Sequence, residues 1–326
     1  MQAAMRDRYG GPEVVRVEHV ERPTPIDDQV LVRIEAASVN RTDLDWLYPH
    51  PAFTRLFVGP RRPRTRRLGI DAAGVVEAVG PDAITLKVGD RVFGDLYPFG
   101  HGAFAEYASA PERAFAVVPD SLELELAATL PHSAVLAVEG LRMPRGRSVG
   151  TGDRVLIDGA SGNVGPFAIQ IAKAAGAHVT AVCRAAKTQF VRSLGADEVI
   201  DYARTDFTST GERYDWILAA ESHHPILRIR RALRPGGVYV TLGGTVPSLL
   251  DALAVGPVVT AATSRRMGMA YWWRPFERDA VAAILALVAS GAVAPVIDRR
   301  YPLAEAADAL RWVDDGLAEG KVIITP

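Results

Sequence analysis

The sharpest chemical signal in the chain is Gly159-Ala160-Ser161-Gly162-Asn163-Val164-Gly165, set between an apolar run and a helical one. Glycines let a chain turn tightly and bring backbone N–H groups close to a pyrophosphate, while the start of the following helix adds a favourable dipole. A glycine triplet alone is weak evidence. Here a strand precedes it, a helix follows it and further strands lie beyond, so a dinucleotide is the expected ligand. About 20 residues past such a loop, an Asp or Glu would accept hydrogen bonds from the ribose 2′-hydroxyl of NAD. This chain has Cys183-Arg184-Ala185-Ala186-Lys187 there. No carboxylate is present, and two cations stand where a 2′-phosphate would need neutralising, so NADPH is the expected cofactor. The expected cofactor-binding residues are Ser161, Gly162, Asn163, Val164, Cys183, Arg184, Lys187, Tyr202, Ala220, Leu242, Gly243 and Gly244. Cys183 reads as a small packing residue under the adenosine, since no histidine partner lies nearby in sequence.

The elements around the loop alternate. Strands are expected over 154–158, 178–182, 197–200, 215–219, 238–242 and 267–272, with helices over 164–175 and 225–233. Strand and helix in turn argue for parallel βαβ units. The first third of the chain differs: short strands at 14–17, 29–36, 74–78, 90–93 and 104–108, separated by turn residues, suggest a small barrel-like β domain. After 272 the pattern is mixed, with a helix over 277–289, a strand near Val296, a helix over 303–313 and a last strand over 321–325.

Composition excludes several classes. At 326 residues the chain is longer than one hydrophobic core usually serves, so two domains with a ligand cleft between them are expected. The net charge of -1 lacks the basic field of a nucleic-acid binder, and Arg61, Arg62, Arg64, Arg66 and Arg67 read as a solvated loop. With Cys183 the sole cysteine, neither an intramolecular disulfide nor a cysteine-held structural zinc can form, which fits a reducing compartment. The most apolar stretch, 249–262, contains Asp251 and Pro257 and falls short of the roughly 20 residues that span a bilayer. The N-terminus has no secretion-signal pattern, so a soluble cytoplasmic protein acting on a small molecule, with no membrane or nucleic-acid partner, is expected.

Several ordered motifs then carry a family resemblance from end to end. These are Ser38-Val39-Asn40-Arg41-Thr42-Asp43, the run from Leu68-Gly69-Ile70-Asp71 to Val79-Gly80, and Val88-Gly89-Asp90-Arg91-Val92-Phe93-Gly94. Gly102-Ala103-Phe104-Ala105-Glu106-Tyr107, the run from Ser193-Leu194-Gly195-Ala196 to Asp201-Tyr202, and Gly320-Lys321-Val322-Ile323-Ile324 complete the set. On these the chain resembles the medium-chain dehydrogenase/reductase superfamily, in its zinc-independent quinone oxidoreductase-like branch. The resemblance implies an α/β fold: a GroES-like β-rich catalytic domain over 1–121 and 273–326, plus a Rossmann doubly wound parallel sheet over 122–272. It also implies a homodimer.

Zinc-dependent alcohol dehydrogenases of that superfamily carry Cys-His-Thr-Asp and Gly-His-Glu segments whose Cys and His bind catalytic zinc. The corresponding residues here are Asn40 and Ile70, neither a strong zinc ligand, so no metal is expected. Without a Lewis acid, the reaction easiest to support is hydride addition to a quinone or α,β-unsaturated carbonyl, with the tailoring of a natural product as one role for it. The resemblance places Asn40 beside nicotinamide ribose and substrate, where its amide would donate to the developing oxyanion; a turn-stabilising asparagine before a helix at 41–47 is the alternative. His132 stands near the remaining zinc-ligand position of relatives and is the candidate proton donor. His101, His223 and His224 are weaker candidates, and Trp272 and Trp273 would roof a pocket. Two other functions stay open: alcohol or ketone dehydrogenation, and a non-catalytic NADPH-binding protein.

Overall fold

The computed structural model describes residues 1–49, 55–143, 146–269 and 276–326. Trp272 and Trp273 lie outside them. Among the described residues, the strands are β1 (Gln2–Met5), β2 (Arg16–His19), β3 (Gln29–Val39), β4 (Asp71–Val79), β5 (Arg91–Asp95), β6 (Tyr107–Pro111) and β7 (Phe115–Val117). They continue as β8 (Arg154–Asp158), β9 (His178–Cys183), β10 (Glu198–Asp201), β11 (Tyr214–Ala219), β12 (Leu233–Thr241), β13 (Arg266–Met269), β14 (Ile297–Pro302) and β15 (Lys321–Thr325).

Two compact units emerge. The first comprises Met1–Ser133, 276–281 and Pro295–Pro326, and the second comprises 134–269 and Ala282–Ala294. The first unit is built on a sheet in the order β14-β15-β3-β4-β5-β7, with β6 also on β3. Its core fills between this sheet and its covering segments, with Val30, Val32, Val39, Leu44, Leu68, Val92, Phe104, Leu310 and Val322 all buried. The last strand lies inside this sheet, joining β14 to β3: β15 runs parallel to β14 and antiparallel to β3, with Val322 opposite Val39 and Ile323 opposite Ser38. That pairing seats Lys321 beside the end of β3, where the helix Arg41–Leu47 begins.

The second unit is a parallel sheet in the order β10-β9-β8-β11-β12-β13. This is the Rossmann order, with β8 and β9 on one side of the point where the winding reverses and β11 on the other. Helices on both faces require strands apolar on both faces. Val155, Leu156 and Ile157 of β8 and Ile217 and Leu218 of β11 are accordingly fully buried.

Local departures from the sequence expectations have physical causes. Residues 14–17 do not form one strand: Pro12 opens a 3-10 turn, Pro12–Val14, and the strand starts at Arg16. The strand expected over 104–108 begins at Tyr107, because Phe104 and Ala105 are engaged by the first strand, with the Ala4 N–H on the Phe104 carbonyl at 2.8 Å. The seventeen-residue helix Val246–Ala262 has Pro257 inside it and apolar residues on nearly every side, so neither its periodicity nor its composition marks it as a helix. Among the described residues no helix is long and apolar enough to cross a membrane.

Candidate functional site

In the first unit a polar cluster sits inside the core. Asp71, at the start of β4, is its hub. Asp71 Oδ2 accepts from Ser38 Oγ at 2.8 Å and from Asn40 Nδ2 at 2.8 Å, while Oδ1 accepts the His132 backbone N–H at 3.0 Å. Lys321 Nζ lies 3.5 Å from the same Oδ2 and donates to Asn40 Oδ1 at 2.6 Å and Ser133 Oγ at 3.2 Å. Ser133 Oγ in turn donates to Asn40 Oδ1 at 2.8 Å. Beside this hub runs a chain of three side chains. His132 Nδ1 is 2.9 Å from Asp95 Oδ2, at the end of β5, and His132 Nε2 is 3.1 Å from Thr42 Oγ1 in the first turn of the helix Arg41–Leu47. Asp95 and Asp71 are fully buried, His132 is 5% exposed and Lys321 1%, whereas Thr42 is only partly buried.

Burial of so many ionisable groups moves their proton affinities. Desolvation pushes the Asp43 carboxyl up to about 7, with nearby Asp71 adding to the rise and the Asn40 N–H opposing it. Asp43 Oδ1 has no hydrogen-bond partner, which fits a carboxyl that does not readily ionise. Asp71 also rises through burial, although Lys321 counters it. Burial alone would lower His132, but the charge and hydrogen bond of Asp95 outweigh it and the net shift is upward. Lys321 is lowered by burial against the pull of Asp71.

The second unit carries the residues expected to hold a cofactor. The glycine loop joins β8 to the helix Gly165–Ala174. Gly159 adopts φ +79°, the left-handed region that favours glycine. A Cβ on Gly165 would lie 2.2 Å from the Ala160 carbonyl oxygen, so only glycine lets the helix start this close to the loop, whereas at Gly162 the nearest neighbour is 3.4 Å away. The loop is thus a bare backbone cradle at a helix N-terminus, and it fits a pyrophosphate. Asp158 at its mouth is pushed up to about 7, chiefly by burial, which limits negative charge where a phosphate would sit. Cys183, Tyr202, Ala220 and Leu242 follow or end β9, β10, β11 and β12 on this same strand-end side, as in other nucleotide-binding sheets. Arg184 is exposed, and its Nε donates to the Tyr202 hydroxyl at 2.6 Å. Lys187 ends the 3-10 turn Ala185–Lys187. The Cys183 thiol is pushed up to about 11, mainly by burial, so it packs rather than reacts.

The other sequence candidates fall into place. Asn40 is the residue before the helix Arg41–Leu47, yet its side chain points into the cluster, 1% exposed, with its N–H groups on Asp71 Oδ2 and, at 3.4 Å, the Ser38 carbonyl. Asn40 and Asp43 form a reciprocal capping box at the helix start, in which Asp43 Oδ2 accepts the Asn40 backbone N–H at 2.8 Å. His101 adopts φ +64° and packs edge-on against Trp46, with ring centroids 4.6 Å apart. Burial, aided by Arg6, lowers it to about 4, so it stays neutral at physiological pH. His224 rests on the Phe207 ring and is lowered mainly by burial; His223 is exposed, 3.8 Å from Glu221. Sequence reasoning missed Thr42, Asp95, Ser133 and Lys321 as site residues. One signal was available: a lysine opening an otherwise apolar strand, Lys321-Val322-Ile323-Ile324.

A catalytic zinc does not fit these residues. Asn40 Oδ1 is committed to Lys321 and Ser133, Ile70 offers only carbon, both His132 ring nitrogens face partners, and the Lys321 ammonium already supplies a cation within the cluster.

Comparison with known proteins agrees with both units. Residues 26–120 match the family described as "Alcohol dehydrogenase GroES-like domain", and residues 194–324 match "Zinc-binding dehydrogenase". The chloroplast envelope quinone oxidoreductase homolog of Arabidopsis thaliana is 34% identical over 341 residues, covering 100% of this chain and 98% of that protein. The quinone oxidoreductase from Coxiella burnetii superposes with TM-score 0.86 at 26% identity, covering 100% of this chain and 99% of that one. A mycobacterial protein complexed with NADPH gives TM-score 0.82 at 26% identity over the full length of both chains.

Two outcomes are expected. Elemental analysis of purified protein should find no stoichiometric zinc, and chelators should leave activity intact; one zinc per chain, with turnover lost on chelation, would contradict this. The second concerns Asp43. A carboxyl that titrates near 7 in the folded state and near 3.8 when unfolded holds a proton in the fold that the unfolded chain has lost. Its contribution is therefore full below about pH 4 and is lost as pH rises to about 7, by roughly 3 to 5 kcal/mol. Asp43→Asn should remove most of that decline in urea unfolding measured between pH 4 and 8; an unchanged slope would show that Asp43 is ionised in the fold.

Proposed function

This chain belongs to the zinc-independent, quinone oxidoreductase-like branch of the medium-chain dehydrogenase/reductase superfamily and is an NAD(P)H-dependent oxidoreductase; on that premise we propose that it uses NADPH to reduce a quinone or α,β-unsaturated carbonyl. The observation that carries the reading is the buried Asp95–His132–Thr42 chain, because such a reduction needs a proton delivered to the developing enolate or hydroquinone oxygen. When bound, NADPH supplies the hydride.

Asp95 accepts from His132 Nδ1–H and so fixes the imidazole with Nε2 toward Thr42. Burial opposes a charge on His132, but the charge and hydrogen bond of Asp95 outweigh it and favour the imidazolium, the form that holds a transferable proton. His132 passes the Nε2 proton to Thr42 Oγ1 as the threonine hydroxyl gives its own proton to the substrate. Thr42 is the partly exposed end of this chain, so His132 itself need not reach solvent. Asn40 holds the frame: its amide ties Asp71, Ser38, Ser133 and Lys321 together, and it acts by orientation, because its own donors are already taken.

For the cofactor, the Gly159-to-Gly165 loop would hold the pyrophosphate, and Arg184, steadied by Tyr202, with Lys187 would meet the 2′-phosphate. The NADPH-bound mycobacterial neighbour supports that choice. A cytoplasmic homodimer completes the reading: the resemblance implies the dimer, and the single buried cysteine fits a reducing compartment.

Arg184→Ala/Lys187→Ala should abolish most of an NADPH-over-NADH preference, since charge-assisted hydrogen bonds are worth roughly 1.5 to 3 kcal/mol each. Fluorescence titration measures it, and equal affinity of the native protein for both cofactors would refute the assignment. Turnover is checked by stopped-flow oxidation of NADPH against a panel of quinones and enones across pH. The native rate should fall as pH rises through the elevated His132 value, and His132→Ala should be slower and lack that limb. Asn40→Ala should slow turnover up to about 100-fold through misplacement of the groups it orients, with a much smaller effect on NADPH affinity. Oxidation of a simple alcohol with no quinone or enone reduced would overturn the reaction class, and binding without any turnover would leave a cofactor-binding protein.

A further inference from the structure

Lys321 opens a strand whose first four residues are all buried. A methionine or leucine there would pack without taking a charge out of water, so the ammonium calls for a reason beyond packing. Its contacts supply one. Lys321 Nζ donates to Asn40 Oδ1 at 2.6 Å, and Asn40 Nδ2 donates to Asp71 Oδ2 at 2.8 Å, the same oxygen that Lys321 approaches at 3.5 Å. Lysine, amide and carboxylate therefore form a closed triangle in which the amide has one permitted orientation. Flipping it would set its NH2 against the ammonium and its oxygen against the carboxylate. The free end of the same carboxylate, Asp71 Oδ1, accepts the His132 backbone N–H at 3.0 Å, and the next residue, Ser133, is a direct Lys321 partner at 3.2 Å.

The charges around this triangle are crowded. Asp43, Asp71 and Asp95 face His132 and Lys321, with neutral His101 and the Tyr97 ring also packed near His132. Without Lys321, one imidazolium would face as many as three buried carboxylates. With it, the cluster is neutral when Asp43 holds a proton and His132 is charged.

We propose that Lys321 is a positioning residue for the proton-delivering histidine: it fixes the Asn40 amide and the Asp71 carboxylate, and through Asp71 and the 132–133 backbone it governs the orientation and charge state of His132. It is an internal, covalently tethered cation, contributed by the far end of the chain. The kinetic part of this inference rests on the reductase reading, and the electrostatic part does not.

The test uses the full chain as Lys321→Met, Lys321→Arg and Lys321→Met/Asp71→Asn beside the native protein. The direct readout is the His132 titration midpoint from nitrogen-15 NMR of the imidazole, identified by its loss in His132→Ala. Removing a neighbouring positive charge favours the imidazolium, so Lys321→Met should move the midpoint up by about one pH unit or more. Lys321→Arg should keep it near the native value, and the double variant, which removes one charge of each sign, should return it most of the way. The descending limb of kcat for quinone reduction should move with the midpoint, while KM for NADPH changes less than about twofold.

A merely structural lysine would lower Tm in Lys321→Met and leave the midpoint in place, and that result overturns the proposal. So does a double variant whose midpoint equals that of Lys321→Met. If Lys321→Met does not fold, the double variant decides: kcat reduced at least about tenfold with a native midpoint supports the positioning role, and native kcat refutes it. If the native protein reduces no quinone or enone, the reductase reading fails, and the NMR midpoints still decide the role of Lys321.

Discussion

A carboxylate sealed inside a protein has to be compensated, and the compensation of Asp71 organises the first unit. Removing an ion from water costs several kcal/mol even after relaxation, and the cost is met only when opposite charge and hydrogen bonds are held in good geometry. Asp71 draws these from Ser38 on β3, Asn40 at the mouth of the following helix, the His132 backbone and Lys321 on the last strand. The partners come from opposite ends of the chain. The antiparallel pairing of β15 with β3 thus both joins β14 and β15 to the rest of the sheet and delivers a cation to the core.

The same desolvation sorts the histidines. His132 and His101 are both buried, and their rings both pack near Tyr97, yet they shift in opposite directions. His132 has Asp95 on Nδ1 and its proton affinity rises; His101 has a buried Nε2 with no partner and cationic Arg6 and Arg67 nearby, and its proton affinity falls. Residue type is identical, and the immediate charge environment decides which ring can serve as an acid near neutral pH.

The second unit works with backbone rather than with buried charge. Its loop depends on glycine for two different reasons, positive φ at Gly159 and close backbone approach at Gly165, and both are steric constraints that no side-chain change elsewhere could relieve. Arg184, by contrast, is exposed and held by a single bond to Tyr202. The cradle that fits a dinucleotide is therefore built into the fold of this unit, whereas on the proposed reading the choice between phosphorylated and unphosphorylated forms would rest on surface groups.

How much of this was legible beforehand follows from the range of the interactions. Alternation of apolar runs and helical periodicity is local, and so the parallel strands, the glycine loop and the absent carboxylate after β9 could be read directly, with β8 placed to the residue. The helix Val246–Ala262 escaped because the local signals conflict, a proline and a glycine interrupting a segment without a polar face. Asn40 and His132 were visible as candidates, but their surroundings were not. Asp95, Thr42 and Lys321 meet them across separations as large as 281 residues, and sequence spacing carries no information about such contacts. Nor could it reveal that the Asn40 amide turns inward, since that depends on a carboxylate and an ammonium brought together only when β15 docks on β3. The sequence by itself determined most of the elements, the parallel pairing expected of the second unit and the nucleotide loop, because these follow from local periodicity and steric limits on the backbone. The tertiary structure alone decided which buried groups carry charge, because proton affinity in a core is set by neighbours that only folding assembles.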